Sequence, residues 1–178
     1  MDFSRRDWIL ATAALWPEIV AAQKAGPAAF QYLDRQTAAE IAALTEQIIP
    51  SDDTPGAREA GVIYFIDRAL TTFAKDQREA YRAGMLEMQA KRTALFPDSQ
   101  SIALLTEPRQ IELLQSMEGS NFFQLLRFHT LAGFLGNPSY GGNRDRVGWK
   151  VIGFDHQMAY QPPFGYYDRE ANANKGPR

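Results

Sequence analysis

Apolar residues return at helical spacing along most of this chain. Ile41, Leu44, Ile48 and Ile49 fall on one side of a segment that ends at Pro50, the stripe of a helix facing a core. Thr37-Ala38-Ala39-Glu40 reads as a capping box at its start, with Thr37 as the cap and Glu40 reaching back. The loop Ser51-Asp52-Asp53-Thr54-Pro55-Gly56 is turn chemistry throughout. A second predicted helix places Val62, Phe65, Ile66, Ala69, Leu70 and Phe73 on one face. A third, more polar helix runs from Lys75 to Leu95 with Tyr81, Met85, Met88 and Leu95 inward, until Phe96-Pro97-Asp98 breaks it. Thr106 caps a fourth, which carries Ile111, Leu114 and Met117. After Gly119 a fifth runs from Asn121 to Leu135. Phe122, Phe123, Leu125, Leu126, Phe128 and Leu131 make it apolar nearly all round, which marks it as the centre of a bundle.

Strand signals are poor, because no stretch alternates cleanly with β-branched residues between turns. The pattern predicts an all-α fold, a compact bundle of about five helices with an irregular, aromatic-rich C-terminal arm. Residues 1–22 read as a signal segment, 23–135 as the bundle, and 136–178 as the arm with a polar tail.

The two ends carry the functional hints. Ser4-Arg5-Arg6-Asp7-Trp8-Ile9-Leu10 is a twin-arginine pattern ahead of a short apolar run, Ala11 to Trp16, which Pro17 and Glu18 blemish before a small-residue exit at Val20-Ala21-Ala22. A positive start, an apolar middle and such an exit make a twin-arginine export signal. The run is too short to span a membrane. An amphipathic N-terminal helix that happens to hold two arginines is the plainer alternative. In the arm, Gly141-Gly142-Asn143-Arg144-Asp145-Arg146-Val147-Gly148-Trp149-Lys150 is too rich in glycine and charge to read as a helix. Trp149, Phe154, Tyr160, Phe164, Tyr166 and Tyr167 are too aromatic for a solvated tail. Such residues beside glycine and proline suit an arm laid on another surface. Tyr140, Asn143, Arg144, Asp145, Arg146, Trp149 and Phe154 are the candidate partner interface, with Arg146 and Trp149 as its anchors. The alternative is a turn closed by its own salt bridges, Arg144 and Arg146 straddling Asp145.

Composition narrows the chemistry. The chain has no cysteine, so thiolate catalysis, disulfides, iron–sulfur ligation and covalent haem attachment are excluded. A net charge of −2 gives no electrostatic case for nucleic acid. His129 sits in the most apolar helix and reads as a hydrogen-bonded core histidine, while His156 lies in the arm. No Glu-x-x-His pair, serine elbow or phosphate-binding glycine loop is present. Asp52-Asp53 is ordinary turn usage. No catalytic, cofactor-binding or metal residue is therefore assigned to this chain.

Three motifs in order carry a family resemblance beyond the leader. They are Ile49-Pro50-Ser51-Asp52-Asp53-Thr54-Pro55-Gly56-Ala57-Arg58-Glu59-Ala60-Gly61-Val62, the helix segment Phe65 to Leu70, and Tyr140 to Trp149. Over residues 33–164 the chain resembles the gluconate 2-dehydrogenase subunit 3 family, small subunits of membrane-associated sugar and polyol dehydrogenases. The resemblance implies a large FAD-dependent partner of the glucose-methanol-choline (GMC) oxidoreductase type. It also implies a multi-haem cytochrome c that takes the electrons onward from the flavin. It places the complex in the periplasm, exported by the twin-arginine pathway with the large subunit as a folded passenger, and membrane-associated through the complex. FAD and haem c belong to those partners, and catalysis to the large subunit. A free-standing periplasmic chaperone or binding protein, or a small independent enzyme using His129, are the competing classes.

Overall fold

The fold was obtained as a computed structural model, which describes residues 30–157. Among these it is all helical. Helix α1 spans Arg35–Ile48, α2 Val62–Thr71, α3 Arg78–Leu95, α4 Glu107–Gln115, α5 Asn121–Leu135 and α6 Val147–Val151. Short 3-10 turns at Lys75–Gln77, Ile102–Leu104, Pro138–Tyr140 and Arg144–Arg146 join or extend them. The five predicted bundle helices correspond to α1–α5. No helix among the described residues is long and apolar enough to cross a membrane.

The core lies where α1, α2, α3 and α5 meet. Ile41 and Leu44 of α1, Val62, Ile66 and Leu70 of α2, Met88 of α3 and Leu126 of α5 are shut off from water. Each such side chain contributes about 1.5–3 kcal/mol relative to exposure. Helix α5 corrects one expectation. Its Phe122, Leu126, Thr130, Gly133 and Phe134 face inward, whereas Phe128 is 64% exposed and Leu131 also reaches solvent. It is a wall of the bundle with one wet face rather than its axis. Ile111 and Leu95 also face outward. In α4 the inward position belongs to Gln110, whose amide donates to the carbonyls of Ile102 and Leu105. Phe73 lies beyond the last residue of α2 and projects from the surface.

Capping differs from the expected box. Asp34 is the cap of α1, accepting from the Thr37 backbone N–H at 2.9 Å and its hydroxyl at 2.7 Å. The Thr37 backbone N–H holds the Asp34 carboxyl below its usual range. Glu40 turns into the core instead, accepting from the Gln89 amide and the Ser101 hydroxyl. Buried carboxylates recur as ties between segments. Asp67 of α2 accepts the backbone N–H groups of Gln31, Tyr32 and Leu33 at 2.8, 2.9 and 2.9 Å, pinning the strand of chain that leads into α1.

His129 is the core histidine that its position implied. Its Nδ1 and the Tyr81 hydroxyl share a hydrogen bond of 2.9 Å, the rings stack at 5.6 Å, and both residues are buried. Burial pushes the His129 pKa down and the Tyr81 pKa up, so each favours its neutral form.

Two predictions follow from these buried groups. Asp67→Ala leaves three N–H groups without their acceptor, and should cost on the order of 3 kcal/mol in urea unfolding. It should also expose the Gln31–Leu33 segment to protease before the bundle melts. For His129, the unfolded imidazole binds a proton below about 6.5 while the native one resists until a lower pH. Stability is therefore fully present above pH 6.5 and falls below it, by at most about 1.4 kcal/mol per pH unit. Denaturation midpoints between pH 7 and pH 5 should show this slope, and His129→Gln should flatten it.

Candidate functional site

The segment expected to be an irregular arm is folded back onto the bundle as far as Val151, and its last stretch forms α6 despite its glycine and charge. The reason is Asn143. It is fully buried, with backbone in the left-handed region (φ 44°). Its backbone N–H donates to the Gly133 carbonyl at 2.8 Å, and its own carbonyl accepts from the Arg146 N–H at 2.9 Å. Its side-chain amide donates to the Gly136 carbonyl and accepts from the Gly148 N–H, both at 2.9 Å. Every polar group of Asn143 is used within the chain.

These bonds answer a need of α5. The last carbonyls of a helix have no partner inside it. Here Asn143 takes those of Gly133 and Gly136, and the Trp149 indole N–H donates to Leu135 at 2.6 Å. The approach is close enough to demand glycine. A Cβ on Gly142 would sit 2.2 Å from the Gly133 carbonyl oxygen, and one on Gly148 2.0 Å from that of Phe134. Trp149 itself is only 7% exposed. Asn143 and Trp149, two of the seven candidate interface residues, therefore hold the chain's own fold together.

The remaining candidates lie on the outside. Arg144, Asp145 and Arg146 are exposed, and both Asp145 (φ 53°) and Arg146 (φ 58°) are left-handed like Asn143. Three such residues within four positions cost about 1–3 kcal/mol each. The salt-bridged turn is not what closes this segment. The ion pairs among the described residues are Arg58–Glu46, Arg82–Glu79 and Arg109–Asp98, and none involves the turn. Tyr140 is half exposed and meets Phe73 edge-on at 6.1 Å. Phe154 packs edge-on against Trp149 at 5.2 Å.

The turn also meets the loop that follows α1. The Arg144 N–H donates to the Ala60 carbonyl at 3.0 Å, and the Arg144 guanidinium lies 3.8 Å from the centre of the Tyr64 ring. Gly61 is left-handed, and a Cβ there would come within 2.6 Å of the Arg144 side chain. Phe30 stacks on Tyr64 at 5.2 Å. The loop is braced from within. Glu46 of α1 accepts the N–H groups of Ser51 and Arg58. Glu59 accepts the Ser51 hydroxyl and the Gly56 N–H. The Ser51 hydroxyl holds the Glu59 carboxyl low. Asp52 accepts the Thr54 N–H at 2.9 Å, the turn role expected of it, and that bond keeps its carboxyl below the usual range.

Sequence reasoning missed Phe73 as a member of this surface, because that residue read as part of the apolar face of the second helix, and did not single out Tyr64. It also missed a cleft of about 650 Å³ between α1 and α3, lined by Tyr32, Leu33, Glu40, Tyr81, Met85 and Leu86 among others. No cluster of three metal-ligating side chains occurs among the described residues. Arg5 and Arg6 lie outside the described residues, as do Tyr160, Phe164, Tyr166 and Tyr167.

Fold and site together define a small helical protein in which two separate loops are locked into one surface of arginine and aromatic side chains, a combination suited to recognition. Residues 35–155 match the family model described as gluconate 2-dehydrogenase subunit 3, and the chain belongs to that family. It is thereby an accessory subunit of a multi-subunit dehydrogenase. No curated protein and no solved structure matches it significantly.

The capping role of Asn143 is directly testable. Asn143→Ala removes two side-chain hydrogen bonds and places alanine in a left-handed position, and should cost roughly 2–4 kcal/mol. Thermal melting of the purified chain checks it. An unchanged midpoint would contradict this account of the turn.

Proposed function

We propose that this chain is the non-catalytic small subunit of a periplasmic, flavin-dependent sugar or sugar-acid dehydrogenase. It supports folding and assembly of a large GMC-type flavoprotein and takes that partner through the twin-arginine pathway. FAD resides in the large subunit. A multi-haem cytochrome c receives the electrons and brings the complex to the membrane. The observation that carries this reading is an export address, Arg5-Arg6 ahead of an apolar run, on a chain of a dehydrogenase-subunit family. A flavoprotein must fold around its cofactor before such export, and a small subunit that binds only the folded form couples the two events. The rigid, outward-facing turn supports this, because a preorganised surface loses little freedom on binding.

Replacing Arg5 and Arg6 together by lysine should leave the large subunit and its flavin-dependent dehydrogenase activity in the cytoplasm. Fractionation of cells with activity staining checks it. Normal periplasmic activity in the double-lysine strain would overturn the carrier role.

A further inference from the structure

We infer that the large flavoprotein subunit docks on the face built by Tyr64, Phe73, Tyr140, Arg144 and Arg146, and not on the cleft between α1 and α3. The inference rests on the accessory-subunit reading and adds the surface that serves it. Three observations converge on this face. Phe73 is 60% exposed, yet it is held by ring contacts to buried Phe65 at 6.0 Å and to Tyr140 at 6.1 Å. An exposed aromatic held in place on both sides keeps one orientation, so little conformational freedom is left to lose on binding. The Arg144 guanidinium carbon lies over the Tyr64 ring, and Arg146 is exposed from a left-handed backbone position. Neither guanidinium takes part in an ion pair among the described residues. Segments 49–64 and 138–146 are fastened by the Arg144–Ala60 bond, and Phe73 joins them through its ring contact with Tyr140.

Its chemistry selects a protein partner. Aromatic and arginine side chains are the types enriched where interface energy concentrates. Two guanidinium forks ask for carboxylates or backbone carbonyls in a complementary groove. Two arginines beside one aspartate fall short of the cluster of four to eight cations that anionic lipid requires. The cleft, by contrast, has its buried carboxylate already satisfied, since Glu40 accepts from both Gln89 and Ser101.

The test is co-purification of the flavoprotein through a tag on the full-length small subunit, from cells that express the whole complex. Arg146→Glu and Phe73→Ser should each lower the recovered flavin by about tenfold or more, the loss of one interface hot spot. Leu86→Ser, at the rim of the cleft, should leave recovery within about twofold, the effect of a residue outside the interface. Melting of each full-length variant separates binding from folding, and Arg146→Glu, on the surface, should melt like the wild type. Normal recovery in both face variants would overturn the face while leaving the accessory role intact. Loss in Leu86→Ser alone would move the interface to the cleft. Face variants that abolish a homodimer but keep the flavoprotein would make this a self-association surface. A wild-type chain that recovers no flavoprotein would overturn the accessory reading and this face with it.

Discussion

The architecture of the outer face depends on one buried amide. Asn143 sits in a left-handed conformation with all its polar groups bonded inside the chain, and it converts the unsatisfied end of α5 into the foundation of the next segment. Without it the carbonyls of Gly133 and Gly136 would need water, and the turn would have no fixed relation to the helix. Asparagine tolerates this backbone region better than most residues, and its amide can both donate and accept, which aspartate or alanine could not do here.

Strain then propagates outward in a useful direction. Asp145 and Arg146 follow in the same unfavourable backbone region, which turns charged side chains away from the bundle. A chain under no other demand would relax such a turn. Here the cost is offset by the bonds of Asn143, the Trp149–Leu135 hydrogen bond and the contact with Ala60, and the outcome is a stiff surface. The loop from Ser51 to Gly61 is made stiff by different means, the carboxylates of Glu46 and Glu59 taking up its backbone N–H groups. The two loops are far apart in sequence and adjacent in space, joined by the bond from the Arg144 N–H to the Ala60 carbonyl.

The helices were legible because burial imposes a period on the sequence. Ile41, Leu44, Ile66, Leu70 and Met88 lie where that period puts them. The failures have local causes. Ile111 yielded its place to Gln110 because two loop carbonyls needed a donor. The apparent capping box at Thr37 was displaced because Asp34, three residues earlier, is the better acceptor, and Glu40 was drawn into the core by Gln89 and Ser101. Glycine and charge hid α6, since a five-residue helix supported by tertiary bonds needs little intrinsic propensity. The candidate interface residues were chosen by residue type. Which of them face outward depended on contacts between α5 and the turn that no linear pattern displays, so buried Asn143 and Trp149 were grouped with exposed Arg144, Asp145 and Arg146.

The account stands on the turn being part of the bundle before any partner arrives. Hydrogen–deuterium exchange of the full-length chain alone, resolved to single amides, measures this directly. The N–H groups of Asn143, Arg144 and Gly148, each bonded to a carbonyl or amide oxygen within the fold, should exchange as slowly as those in the interior of α5. Exchange at the rate of an unstructured peptide, with α5 still protected, would show a loose arm that orders only on binding and would contradict the account.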